Sequence, residues 1–365
     1  MAKKDKISSI KNVSKALPPN NDVRNVIKTP IQLYRVRTDI LKWRNALTAA
    51  QSLTSPQRFS LYQLYQEFDL DAHLTAAIMQ RKNLTLSKEF EVYNKDGEED
   101  EEKSKLLKTK WFRDLLSYAL DSIFYGYSLV QFGDLVNDEF KTVDLVPRIY
   151  VKPELHIVTN SYADITGNDY LESPYKEWCI GIGERYDLGL LNKAAPLLIW
   201  KKNALSAWAE YNEIFGAPLR IGKTNINDLA TSTNMENMLK NMSGAAYGMF
   251  DLNDEIELIE SGKSGADVFN SMVDRCNSEI SKLILGQTST LDEKAFVGSA
   301  ETHERILKQV GDSDEYFITS MLNYQLIPLL NGLGINFEGC KIKSEAEDEF
   351  TLQEKAKFAI DIINT

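Results

Sequence analysis

The chain has 365 residues, 43% hydrophobic and 10% aromatic, enough apolar material for two or three lobes with their own cores, which excludes global disorder. Its formal net charge of −11 is unevenly placed: residues 1–45 hold eleven Lys or Arg against three Asp, a balance of +8, leaving 31 basic and 50 acidic residues, or −19, for the remainder. Such a body repels DNA at long range, while the basic arm either aids solubility or attracts an acidic partner.

Residues 1–30 combine lysines, Ser, Asn and the pair Pro18-Pro19 without apolar periodicity and read as a flexible basic arm. Helical spacing follows over 31–50 and over 61–87, where Leu61, Leu64, Tyr65 and Phe68 mark one face and Leu74, Ile78 and Met79 the next, with Asp71 as an N-cap between them. EFEVYN (89–94) alternates as a strand. The six-carboxylate run DGEEDEEK (96–103) lacks the oxygen spacing of a calcium loop and reads as a solvated hairpin loop. KTKWFRDLLSYALDSIFYG (108–126) is a strongly amphipathic helix stopped by Gly126, and YSLVQFGDL a strand. From 139 to 200 the pattern is strand and turn, with FKTVDLVP, ELHIVT, EWCIGIGERYDL and LLIW as strands. Gly181 and Gly183 lack the third glycine of a dinucleotide fingerprint and read as strand.

Helix returns over NALSAWAEYNEIFG (203–216), and Gly216 and Pro218 form its structural stop. INDLATSTNMENMLKNM is a further helix, and YGMFDLNDEIELIE a strand or hairpin. From Ser264, the residues Val268, Met272, Cys276, Ile280, Leu283 and Ile284 mark one face of a helix ending at Gly286. After the polar loop QTSTLDEKAFVG comes a long helix, SAETHERILKQVGDSDEYFITSMLNYQLIPLL, and near the end a short one, LQEKAKFAIDIIN.

The stretch GAPLRIGKT (216–224) ends as a phosphate-binding loop does, but the first glycine of that motif falls on Ala217, and Pro218 lacks one of the N–H donors that must face the phosphate. A second Gly-Lys-Ser at 262–264 has Glu257 where glycine is required. His73, His156 and His303 fall in separate segments without metal-ligand spacing, and Cys179, Cys276 and Cys340 stand singly, so neither a zinc site nor a disulfide framework is expected. Cys276 lies on an apolar helix face, where a thiol is inert. The longest apolar runs, such as AAPLLIW (194–200), fall far short of the roughly 20 residues needed to span a bilayer, and no leader pattern follows the N-terminal lysines. The expectation is an intracellular chain with no metal, no cofactor, no membrane association and no enzymatic site.

Segments of this sequence resemble the Mu-like branch of tailed-phage portal proteins. AWAEYNEIFGAPLRIGK (207–223) is similar to that family's helix, Phe-Gly and Gly-Lys run, and EISKLILGQTST (279–290) to its Ile-Ser-Lys and Leu-Gly-Gln-Thr signature, followed by SAETHERILKQV. DLDAHLTAAIMQRKNLTL and LDSIFYGYSLVQF resemble its N-terminal segments, so the likeness runs over roughly residues 30–335 in one order. The resemblance implies an α+β portal fold with a mixed α/β wing over 31–202, a two-helix stem at 203–216 and 264–286, and a small α/β clip at 217–263. It further implies a tunnel loop at 287–298, a tunnel or wing helix at 299–335 and a shortened helical crown at 336–365.

In function it implies a non-enzymatic ring, usually of twelve copies, at one capsid vertex of a virion assembled in the host cytoplasm. That ring is the channel for packaging and ejecting DNA. The implied partners are further copies of the chain, the large terminase, the head–tail adaptor, major capsid and scaffold proteins, and double-stranded DNA without sequence preference. Channel contacts fall on Gln287, Thr288, Ser289, Thr290 and Lys294, the terminase and adaptor face on Arg220, Lys223, Asn225 and Asn227, and structural turns on Gly216, Pro218 and Gly286. The alternative is a portal-like adaptor ring of a phage-derived particle that does not package DNA.

Overall fold

The computed structural model describes residues 31–136, 139–215, 220–223, 228–241, 247–250, 265–287 and 300–344. In chain order the elements begin with α1 (Ile31–Ala50), α2 (Phe59–Phe68), α3 (Ala72–Leu86), β1 (Phe90–Tyr93), α4 (Glu101–Leu107) and α5 (Lys110–Tyr125). Short strands follow: β2 (Tyr127–Phe132), β3 (Leu135–Val136), β4 (Glu139–Phe140), β5 (Val143–Leu145), β6 (Val151–Lys152), β7 (Ile157–Val158), β8 (Asn168–Asp169) and β9 (Cys179–Gly183). Then come α6 (Gly189–Phe215), β10 (Arg220–Lys223), α7 (Leu229–Asn241), β11 (Tyr247–Phe250), α8 (Gly265–Leu285) and α9 (Ala300–Met321). A π-helical turn at Leu322–Leu326 leads into α10 (Ile327–Gly332), and β12 (Lys341–Ser344) follows.

One core gathers around α5, whose Trp111, Phe112, Leu115, Leu116, Ala119 and Leu120 are buried at helical spacing against β2, β9 and the helices after α9. The antiparallel sheet β5-β2-β9 lies in this core, and β12 returns across the chain to pair antiparallel with β1, Phe90 opposite Ser344 and Tyr93 opposite Lys341. Ile335, Phe337, Cys340 and Ile342 are buried here too, so residues 335–344 close this core. A second core joins α1, α2 and α3 to the first half of α6 and the second half of α8 through Leu61, Tyr65, Leu74, Leu191, Leu198, Ile280 and Ile284.

Several expectations are met in geometry. Asp71 accepts from Leu74 N at 2.9 Å as the N-cap of α3, and Gly126 ends α5 at φ +87°. Gly181 and Gly183 lie on β9, and Gly222 and Lys223 lie on a strand where a phosphate loop would need a loop before a helix.

Others are corrected. The acidic run is not a solvated hairpin loop throughout: Asp100 caps α4, accepting from Lys103 N at 3.1 Å, and Glu101 and Glu102 sit in its first turn, where carboxylates complement the helix dipole. The segment LLIW is helix, because Leu191, Ala194, Ala195, Leu198 and Ile199 recur at helical spacing into the second core and that burial outweighs Pro196 inside α6. Met79 is 59% exposed; Ala77 and Thr85 are buried with Leu74 in its place.

Gly126 illustrates the backbone demands of this core, since a Cβ there would stand 2.3 Å from the Asp187 carbonyl oxygen, whereas Gly97, at φ +83°, meets nothing within 4 Å. Gly126→Ala is expected to destabilise the protein by about 3 kcal/mol or more and Gly97→Ala by about 1 kcal/mol, from backbone strain alone. Urea denaturation of the two variants side by side measures the difference.

Candidate functional site

The helix pair α6 and α8 runs antiparallel: Tyr211 near the end of α6 meets Phe269 near the start of α8, ring centroids 5.9 Å apart, while Lys201 acts electrostatically on Cys276. The pair is embedded at one end and stands free at the other. Up to Lys201 on α6 and from Cys276 onward on α8 the inward side chains are buried, yet among residues 202–213 and 267–275 none is buried. The apolar face of α8 therefore splits, with Cys276, Ile280 and Ile284 in the core and Val268 and Met272 exposed to 54% and 38%. Burial pushes the Cys276 thiol upward, away from reactivity, and that of Cys179 up to about 11.

Helix α3 pins the embedded end. Asp71, its N-cap, pairs with the buried Lys201 of α6 at 2.6 Å. One residue into the helix after it, His73 Nε2 lies 3.0 Å from the Asn277 carbonyl and 2.8 Å from Ser281 Oγ, both on α8. Two turns on, Arg81 makes a bidentate bond to Asp314 of α9, Nε to Oδ2 at 2.7 Å and Nη2 to Oδ1 at 2.8 Å, while its Nη1 donates to the Ile284 carbonyl at 2.9 Å. That carbonyl belongs to the last turn of α8, so a single guanidinium ties the end of α8 to α9. Its charge also fits there, a cation at a helix C-terminus. Past α3, Lys88 bonds Glu315 of α9, which also accepts from Ser344 Oγ of β12.

Gly286 turns the chain out of α8 at φ +74°, and a Cβ there would come 3.1 Å from Ile306 Cγ2. Gln287 follows with only 4% exposure. Thr288, Ser289, Thr290 and Lys294 lie outside the described residues, as do Gly216, Pro218, Asn225 and Asn227. Arg220 and Lys223 lie at the two ends of β10, which pairs in parallel with β11, Arg220 opposite Tyr247 and Lys223 opposite Phe250, with α7 between the strands. Among the described residues no cluster of three or more His, Cys, Asp or Glu side chains is arranged to hold a metal ion. The clamp on Arg81 escaped sequence reasoning. Its one signal is a guanidinium that, with Lys82, stands in an α3 without carboxylates.

A model of the family described as the portal protein of Mu bacteriophage matches residues 62–365. The chain belongs to that family. Its similarity to the portal protein of Escherichia phage Mu is 24% identity over 306 residues, covering 77% of this chain and 60% of that protein, so the chain spans well under two thirds of that relative's length. In fold, it is similar to a chain in the virion of a native gene transfer agent particle, with a TM-score of 0.51 and 12% identity over 90% of this chain and 95% of the other. A portal protein of the HK97 family from Corynebacterium diphtheriae aligns at a TM-score of 0.40 and 13% identity, covering 75% of this chain and 93% of that one. The portal family assignment is thus carried by sequence and the α+β architecture by structure.

Two predictions follow from the clamp. Arg81→Met leaves the Asp314 carboxylate, 5% exposed, without its partner and is expected to cost about 3–5 kcal/mol, whereas Arg81→Met with Asp314→Leu recovers most of that loss; both are read by urea denaturation. For Glu315, burial alone would raise the carboxyl, but hydrogen bonds from Lys88 and Ser344 outweigh it and hold it below the ordinary range. Its contribution is present at neutral pH and lost as pH falls through that depressed value, so Glu315→Gln should flatten the acid limb of stability against pH.

Proposed function

We propose that this chain is the portal subunit of a tailed-phage-like particle: copies form a ring at one capsid vertex, and DNA is packaged and ejected through its hole. The observation that carries this reading, within the portal family assignment, is the α6–α8 pair, rooted in a core at one end and free at the other. A stem of this kind is what a ring subunit needs to stand beside its neighbours around a channel. In this reading the wing is built from residues 31–202 together with the helices and strand that return at 300–344, and the stem from 203–216 and 264–286. The clip is 217–263, the tunnel loop 287–298, and any crown lies beyond Ser344.

The clip, with β10 and β11 joined through α7, faces the terminase during packaging and the head–tail adaptor afterwards, through Arg220, Lys223, Asn225 and Asn227. The wing meets capsid and scaffold, and the basic arm of residues 1–30 touches one of these or DNA. The ring is of twelve copies, and it works without a cofactor or a catalytic site.

Charge explains why such a channel lets DNA pass. Each phosphate neutralised by Lys or Arg releases counterions and strengthens binding, so a conduit requires few such contacts. The body outside residues 1–45 carries −19, and in the loop after Gln287 the only basic residue is Lys294, flanked by Asp292 and Glu293. DNA contact is therefore weak and blind to sequence, carried by Lys294 with Gln287, Thr288, Ser289 and Thr290.

Lys294→Glu should leave ring assembly intact while particles retain several-fold less DNA. Packaged DNA per particle, measured by nuclease protection in a complementation assay, checks this, and unchanged packaging would contradict the assigned contact.

A further inference from the structure

The free half of the stem carries apolar groups that the single chain does not bury. Val268 and Met272 of α8 are two of them. Leu205 of α6, 42% exposed, is a third, and with Leu70 of the α2–α3 turn, 85% exposed, it lines a groove of about 650 Å³ that the buried Phe68 and Leu198 also border.

These two features lie on opposite flanks of the helix pair. Residues of a helix are spaced by about 100° around its axis. On α8, Cys276 and Ile280 point toward α6, and Asn277 and Ser281 point about a quarter-turn to one side, where His73 of α3 meets them. Val268 and Met272 project about a quarter-turn to the other side. The groove is on the α3 side, since Asp71 and the turn before it form its wall. The two features also stand within one helical turn of each other in height. Tyr211 packs on Phe269, and counting back along the antiparallel pair from that contact brings Leu205 level with Arg275, one turn from Met272.

We propose that Val268 and Met272 of one copy seat in the Leu70–Leu205 groove of the next copy, and that this contact closes the ring around the stem. The contact is heterologous, one surface against a different one, so it propagates from copy to copy. Because knob and groove lie within a turn of one level, a step from copy to copy needs little shift along the helix pair, the condition for a heterologous contact to close a ring rather than wind a filament. Charge fits the same register. Arg275, one turn along α8 from Met272 and paired in its own chain with Glu279 at 2.9 Å, comes within a turn of the height of Lys202, whose partner on the groove wall is Glu67 at 2.8 Å. Arg275 of one copy thus faces Glu67 of the next, which fixes register more than it adds affinity. The contact rests on the portal reading to the extent that the chain must assemble into rings.

The test uses the full chain carrying Leu205→Cys and Met272→Cys together. Mild oxidation should give a ladder of covalent oligomers on a non-reducing denaturing gel, because seated neighbours bring the two thiols within disulfide reach, while either single variant should stay unlinked. Met272→Glu, in a separate chain, should raise the concentration needed for assembly at least tenfold by light scattering, and Glu67→Arg with Arg275→Glu should assemble better than either substitution alone. Rings that form without a ladder, together with normal assembly of Met272→Glu, would overturn the proposed contact and leave the portal reading standing. An unmodified chain that stays monomeric at every concentration would overturn both.

Discussion

The arrangement depends on one cation set against a buried carboxylate. Arg81 spends its guanidinium on Asp314 and on the last-turn carbonyl of Ile284, so α3, α8 and α9 meet at one point. A buried ion pair is weak evidence for stability, because desolvation offsets much of the attraction, but it is strong as a constraint on geometry: removing either partner strands a charge in the core. That constraint acts at the end of α8, where Arg81 and the turn at Gly286 hold the chain just before Gln287, and it ties that end to the middle of α9 through Asp314.

Helix α3 also fixes where the α6–α8 pair leaves the second core. Asp71 at the start of α3 caps the helix and neutralises Lys201 of α6, so the point where α6 emerges from the core is set by a pair that also begins α3. His73 does the corresponding work on α8 through Asn277 and Ser281. The antiparallel pair α6–α8 is therefore gripped along its rooted half. Its free half carries exposed apolar groups on both flanks. A soluble monomer has little reason to keep Leu70, Leu205, Val268 and Met272 in water, and a ring gives them a place to be buried.

Local signals in the chain were legible where one physical cause dominated. Gly126 and Gly286 stop helices because only glycine takes their positive φ without strain, and Asp71 caps α3 because its side chain replaces a missing intrahelical acceptor. Interactions between distant segments were not legible. The strand pair β1–β12 joins Phe90 to Ser344, and Arg81 finds Asp314, with nothing local in either segment to announce the partner. The acidic run at 96–103 misled because charge suggests solvation, whereas Asp100 and the following glutamates favour a helix start. LLIW misled because a proline and a short continuous apolar run outweighed the helical spacing of Leu191, Ala194 and Leu198. In the candidate site, the helix face of α8 was visible as a period but not as two halves, since periodicity does not say which part of an amphipathic face meets its own chain and which meets a neighbour.

The central claim is that the α6–α8 pairs of many copies stand side by side around a hole. Electron microscopy of the purified full chain over a range of concentrations tests it most directly. The account predicts rings with a central opening wide enough for duplex DNA, in which paired helices form the wall and the α/β wing lies outside. A compact dimer without a hole at every concentration, or rings whose openings are walled by the wing with the helix pairs at the rim, would contradict it.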